Sequence, residues 1–286
     1  MHRRDIKFAP LHHRDIVAAA ALARTEQWNQ TEQDWEVILQ HSKAGSFGAF
    51  SGGTLIGTVT SLTYGDTLAW IGMMLVRVDH RRQGIGKALM RLVLDHCRES
   101  GIQSAKLDAT PAGEPLYASL GFQTELTIQR WSTLDPASTD GASAHSTRDD
   151  TYRTIRGFDQ EAFGVCRKDL LDSLIKNRCC EPVIALDPSR ALAGYGLARR
   201  GANAFFLGPI AARSETIAVQ ILDGLVAQLP GAKLYVDYLA HAQSTPLALS
   251  ERRFKLQRTL SRMSYGKTSC AGISRSIFAS AGPEFG

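Results

Sequence analysis

The stretch VRVDHRRQGIGKALMRL, Val76 to Leu92, sets four arginines, a lysine and two near-adjacent glycines between an apolar run and a helical pattern. A strand that turns directly into a glycine-bearing helix start leaves backbone N–H groups free where the helix dipole also favours negative charge. Glycine at 84 and 86 removes side chains that would block close approach, and Arg77, Arg81, Arg82 and Lys87 add charge around the same point. The anion that suits this arrangement is a phosphate, or a diphosphate. A nucleoside-triphosphate loop needs a Ser or Thr after its Gly-Lys for magnesium; here Ala88 follows Gly86-Lys87, and Arg81 holds the first glycine position. A dinucleotide fingerprint needs a third glycine where Leu89 stands, and the elements before it look like antiparallel hairpins rather than a βαβ unit.

The surrounding patterns supply a scaffold. DIKFAPL reads as a strand, DIVAAAALART as a helix opened by Asp15, and TEQDWEVILQHS as a second helix capped by Thr31. Three β-rich runs follow, parted by Ser51-Gly52-Gly53 and Gly65-Asp66, and the third runs from Thr67 to Val78. From Gly84 the residues Ile85, Ala88, Leu89, Leu92, Val93, His96 and Cys97 fall at helical spacing on one face, ended at Gly101. The strand SAKLDA, the short helix EPLYASL stopped by Gly121, and the strand QTELTIQRW complete an α/β layer with a mostly antiparallel sheet.

With the elements in place, Arg81-Arg82-Gln83-Gly84-Ile85-Gly86 resembles R/Q-x-x-G-x-G/A, the acyl-CoA motif of the GNAT N-acetyltransferase superfamily. LDATPAGEPLYASLGF is similar to that family's later strand, tyrosine-bearing helix and Gly-Phe, and the resemblance covers about residues 5–132. It implies that the backbone of Arg82 to Lys87, with Gln83, Ile85 and Ala88 in the same turn, holds the CoA pyrophosphate, and that Arg81, Arg82 and Lys87 lie near the phosphates. It also implies that Val76 and Val78 pair with the pantetheine arm, that the Val76 amide polarises the thioester carbonyl, and that Tyr117 protonates the departing thiolate. Acetyl-CoA is then the cosubstrate.

Acceptor chemistry is thinner in the sequence. Some GNAT members carry a glutamate on the central strand, but TLAWIGMMLVRV has no carboxylate after Asp66, so the general base stays unassigned among Glu26, Asp108, Glu114 and a water chain. Trp28 and Trp70 are candidates to line the acceptor site, with plain core packing as the alternative for each. His12, His13 and His80 show no ligand spacing and read as surface residues, and no metal is expected.

Asp135 to Asp150 lacks any large apolar residue and reads as a linker, which divides the chain into residues 1–134, the linker 135–150, a second unit 151–266 and a poorly ordered tail 267–286. The second unit repeats the order of elements: TYRTIR (strand), RKDLLDSLIKN (helix), three strands to NAFFLGPIA, a long helix from SETIAVQIL, AKLYVDYL, a short helix STPLALS and FKLQRTLSRM. This likeness implies tandem GNAT folds, each a mostly antiparallel mixed sheet flanked by helices, with the second an accessory domain. It lacks the R-x-x-G-x-G motif, and Pro209 removes an N–H from its strand-to-helix junction, which argues against a second CoA site. Asp159, Arg167, Tyr195, Arg199 and Asp237 are its notable polar residues, with surface salt bridges or capping the simpler reading.

At 286 residues, 44% hydrophobic and 21% charged, the chain is long enough for two cores, and its lack of an apolar leader or spanning run points to the cytoplasm. The five cysteines, the adjacent Cys179 and Cys180 included, fit reduced thiols. A net charge of +5 permits an acidic partner, but the arginines converge on the glycine turn without interleaved aromatics, so neither nucleic acid nor membrane is expected as a partner. The function expected is acetyl transfer from acetyl-CoA to a primary amine of a small-molecule or amino-acid-like acceptor in a ternary complex, by a monomer or homodimer. The rival is a non-catalytic acyl-CoA sensor.

Overall fold

The structure, a computed structural model, describes residues 6–42, 44–136, 149–240, 247–267 and 271–286. The first half runs β1 (Ile6–Pro10), α1 (Ile16–Thr25), α2 (Glu32–His41), β2 (Phe47–Ser51), β3 (Thr54–Tyr64), β4 (Leu68–Val76), α3 (Ile85–Glu99), β5 (Ser104–Ala109), α4 (Glu114–Ala118) and β6 (Gln123–Thr133). Thr31 starts α2 as expected: its hydroxyl accepts the Asp34 N–H at 3.2 Å, and the Asp34 carboxylate accepts the Thr31 N–H at 2.7 Å. Asp15 does not cap α1; its carboxylate instead accepts the His12 N–H at 2.9 Å and closes a 3-10 turn over His13–Asp15. Helix α3 buries Ile85, Leu89, Met90, Val93, Leu94 and Cys97, one face at helical spacing.

The second half runs α5 (Asp149–Phe163), α6 (Lys168–Lys176), β7 (Val183–Leu186), β8 (Leu192–Arg199), β9 (Phe205–Ala212), α7 (Glu215–Ala227), β10 (Leu234–Leu239), α8 (Leu247–Glu251), β11 (Lys255–Gly266) and β12 (Ile277–Ala279). TYRTIR, expected as a strand, is the first part of α5. Its alternation is too short to decide the period, and continuing through Phe158, Ala162 and Phe163 the buried positions fall on one helical face with Ile155. Most of the expected linker, and Cys270, lie outside the described residues.

Among the described residues the twelve strands form one sheet in the order β1-β2-β3-β4-β5-β11-β6-β10-β12-β9-β8-β7. Each half contributes a parallel pair, β4 with β5 and β9 with β10, in an otherwise antiparallel sheet. The halves exchange their last long strands: β11 lies between β5 and β6, while β6 pairs with β10. Sequence halves and spatial halves therefore do not coincide, and each half of the sheet is completed by a strand from the other half of the chain. The largest apolar core draws on both, joining Trp35, Trp70 and Leu68 with Phe163, Tyr195, Leu260 and Phe285.

The expected poorly ordered tail is instead built into this core. Strand β12 sits between β9 and β10, and Ser280, Ala281, Glu284 and Phe285 are buried. Tyr64 donates to Phe285 O at 2.9 Å, Trp70 Nε1 to Pro283 O at 3.0 Å, and Arg167 Nη1 to Gly286 O at 2.8 Å. Low apolar content hid this segment, whose order comes from backbone hydrogen bonds to side chains far away in sequence.

Candidate active site

Strand β4 carries a bulge. Its register with β3 passes from Thr60↔Gly72 to Thr58↔Leu75, Met73 has φ +47°, and the Thr58 hydroxyl holds Met73 O at 2.7 Å. Pairing with β5 is confined to residues 68–70, so beyond the bulge the two parallel strands diverge and leave a cleft. Arg77 N–H donates to Ile56 O at 2.8 Å, which by strand alternation turns the Val76 amide and carbonyl away from β3 and into that cleft. The cleft is lined by Glu26, Trp28, Met74, Leu75, Val76, the α3 start, Thr110 and Tyr117.

Gly84, at φ +82°, is the left-handed residue before α3, and the first amide spoken for in the helix is that of Ala88, donating to Gly84 O at 3.0 Å. The N–H groups of Ile85, Gly86 and Lys87 therefore come before the helical ladder, beside the exposed Arg82 and Lys87. Such a start suits a phosphate. Among the charges expected there, Arg81 is committed elsewhere: Nε donates to Val76 O at 2.8 Å and Nη2 lies 2.5 Å from Glu26. Arg77 is likewise held by Asp79 at 2.7 and 2.9 Å.

Several expected residues fall outside the cleft. Val78 lies past the end of β4 in a 3-10 turn and is 65% exposed, so it offers no strand edge to a pantetheine arm. Gln83 turns back to Asp79 O at 3.4 Å, and Ala88 is absent from the lining. Trp70 is fully buried, with the Arg262 guanidinium 4.5 Å from its ring centroid, and belongs to the wall behind the site. His80, expected at the surface, is buried and its Nδ1 lies 2.8 Å from Asp79 Oδ1.

A second, more enclosed cavity adjoins the cleft, lined by Gln30, Ile71, Gly72, Met73, Leu107, Asp108, Leu260, Pro283 and Glu284. Trp28, Met74, Thr110, Tyr117 and Arg258 line both spaces. Tyr117 is buried on α4 against Phe122, and burial raises its hydroxyl pKa, so the phenol keeps its proton at neutral pH.

The three carboxylates suggested as base are each engaged by other side chains, as Glu284 also is. Glu26 is paired with Arg81, Glu114 accepts from Thr124 and Ser261, and Asp108 forms a buried two-point pair with Arg262 at 2.8 Å on each arm. Besides Asp108, the enclosed cavity holds the carboxylate of Glu284, from the segment after β12. A Cβ at Gly72 would stand 3.0 Å from Glu284 Cα, so glycine in β4 admits this segment against the bulge. Glu284 accepts from Gln30 Nε2 at 2.6 Å and pairs with Arg199, which also meets Asp34 at 3.0 Å. Burial raises the Glu284 pKa against the opposing pull of Arg199.

The polar residues singled out in the second half are buried pairs, not surface ones. Arg167 holds Asp159 at 2.8 Å, Tyr195 donates to Asp159, and Arg130 from β6 holds Asp237 at 2.5 Å. Residues before β9 also grip the loop between α1 and α2: Asn203 and Ala204 N–H groups donate to Asn29 Oδ1 at 2.9 and 3.0 Å, beside Trp28. In the second half, the gap corresponding to the first half's cleft is filled by β12, which pairs with both β10 and β9.

The family matches and curated relatives support an acyltransferase. Residues 14–122 match the Acetyltransferase (GNAT) family and residues 155–279 the Acetyltransferase (GNAT) domain, so the chain belongs to the GNAT superfamily with two such domains in tandem. The uncharacterized N-acetyltransferase YitH of Bacillus subtilis is 28% identical over 77% of this chain and 78% of its own. Holothin acyltransferase of a Pseudoalteromonas species is 24% identical, over 81% and 77%. Among solved structures, a Pyrococcus horikoshii protein assigned as an acetyltransferase superposes with a TM-score of 0.81 at 19% identity, covering 100% of this chain and 98% of that one. A tandem GNAT protein from the clavulanic acid biosynthesis pathway gives 0.65 at 17% identity, over 93% and 100%. The family's usual donor is acetyl-CoA. No described helix is long and apolar enough to cross a membrane.

Proposed function

We propose that the protein transfers an acetyl group from acetyl-CoA to a primary amine of a small acceptor, by direct attack while both substrates are bound. The observation that carries this is Tyr117, a protonated phenol at the junction of an open cleft and an enclosed cavity. The donor lies in the cleft, its pyrophosphate on the 85–87 amides with Arg82 and Lys87, and its thioester beside the Val76 amide. The amine enters from the enclosed cavity.

Attack forms the N–C bond and breaks the C–S bond. The nitrogen's proton goes to Glu284, and the departing sulfur takes the Tyr117 proton. Thiol release measured against a panel of amines with acetyl-CoA tests the reaction, and no turnover on any amine would refute it. Tyr117→Phe is expected to lower kcat about 100-fold, the usual scale for a lost proton donor. Acetyl-CoA affinity should stay within threefold, and a kcat within twofold of wild type, with chemistry rate-limiting, removes the role.

A single donor site per chain follows from β12 filling the second gap. Calorimetric titration with CoA should give one equivalent; two would overturn that reading of the second half.

A further inference from the structure

Arg258 enters the site from β11, the strand that the second half lends to the first. A bulge at Gln257 sets it opposite Arg130, whose own charge is met by Asp237. The carboxylates near the enclosed cavity are taken: Asp108 by Arg262, Glu284 by Arg199, Glu26 by Arg81. Arg258 is half-buried, and among the described residues it has neither ion pair nor hydrogen bond; its Nε is shut off from solvent without an acceptor. Burial and the like charge of Arg130 both disfavour its charged form, and Asp237, already held by Arg130, offsets them only in part. A guanidinium under these conditions lacks an anion.

Coenzyme A does not supply one at this point. Arg258 lies where cleft and cavity join, and a donor seated on the α3 start presents its uncharged pantetheine arm there, with its phosphates beside Arg82 and Lys87. The missing anion therefore belongs to the acceptor. In the lining of the same cavity, Gln30 Oε1 is buried without a donor, next to Glu284. The lining thus offers a cation and hydrogen-bond acceptors, which matches a molecule that carries both a carboxylate and an amine.

We infer that Arg258 binds a carboxylate of the acceptor, so that the acceptor class is amino acids and related amino carboxylates. Arg258 forks onto the carboxylate. Gln30 Oε1 accepts from the amine and turns its nitrogen toward Tyr117 and the donor. This rests on the acyl-transfer reading above.

The test pairs each common amino acid with its carboxamide as acceptor for acetyl-CoA. The acids should exceed their amides at least 30-fold in kcat/KM. Arg258→Gln should erase that preference, with the loss in acceptor KM rather than in kcat and with the acetyl-CoA KM within threefold; Arg258→Lys should restore part of it. Equal use of acids and amides by the wild-type protein, or a preference that survives Arg258→Gln, overturns the assignment while leaving acyl transfer intact. In parallel, the CoA-loaded protein is titrated calorimetrically with N-acetylglycine and N-acetylglycinamide. Binding of the acid alone, lost in Arg258→Gln, upholds the carboxylate site even if no amine turns over, in which case it is the acyl-transfer reading that fails. Binding of neither compound, together with no preference in turnover, also overturns the assignment.

Discussion

Glu284→Gln should lower kcat/KM about 100-fold or more, because it removes the acceptor of the amine proton while keeping the side chain's size. The substitution tests the carboxylate and not the packing: the new amide's oxygen can still accept from Arg199, its NH2 meets the Gln30 amide once that turns to present its oxygen, and Arg199 keeps Asp34. Its pH signature is distinctive. Burial raises the Glu284 pKa, so in the wild-type protein the carboxyl group loses its proton only above the ordinary carboxylate range. Activity that needs the ionised form must then rise with pH through that raised value and fall away below it. In Glu284→Gln the limb belonging to this group disappears, while the limb set by the acceptor's own ammonium remains. Circular dichroism and a melting curve close to wild type separate this from misfolding. A well-folded variant within threefold of wild-type activity, with its acid limb intact, would return the base to a water chain.

The contrast between Glu284 and Arg82 shows what a sequence can disclose. The strand, glycine turn and helix start around Gly84 were legible because they are local, falling within a dozen or so residues, each with its own chemical requirement. Elements with a clear period, such as α2 with its Thr31 cap or α3 with its buried stripe, were legible for the same reason. What failed was non-local. Glu284 follows a stretch rich in Ser, Ala and Gly that carries no periodic signal, and it becomes part of the site because Tyr64, Trp70 and Arg167 bind its neighbours' carbonyls. Arg258 sits in an ordinary strand pattern, and only the exchange of β11 into the first half brings it to Tyr117. A signal for Glu284 existed in the residues on β4. A glycine at 72 within an apolar strand marks a place where another segment comes close.

Asp108→Ala should destabilise the protein by about 3–5 kcal/mol, since it strands a fully buried arginine without its counter-ion. Arg262 has no exposed surface, stacks over Trp70 and donates to Gly272 O, so its guanidinium cannot relax into water when Asp108 is removed. For a chain of this size that corresponds to a fall in Tm of roughly 10 °C. The pair joins β5 of the first half to β11 of the second, so the loss should fall on the exchanged strand and with it on Arg258. Replacing both partners by apolar residues, Asp108→Leu with Arg262→Met, should recover most of the stability, because no charge is then left buried. Asp108 lines the enclosed cavity and is one of the carboxylates that the sequence offered as a base. Its role can therefore be told from that of Glu284 by pH: folded Asp108→Ala at low temperature should keep the acid limb that Glu284→Gln loses. A Tm within 2 °C of wild type, or a lost acid limb in folded Asp108→Ala, would reverse the assignment of the two carboxylates.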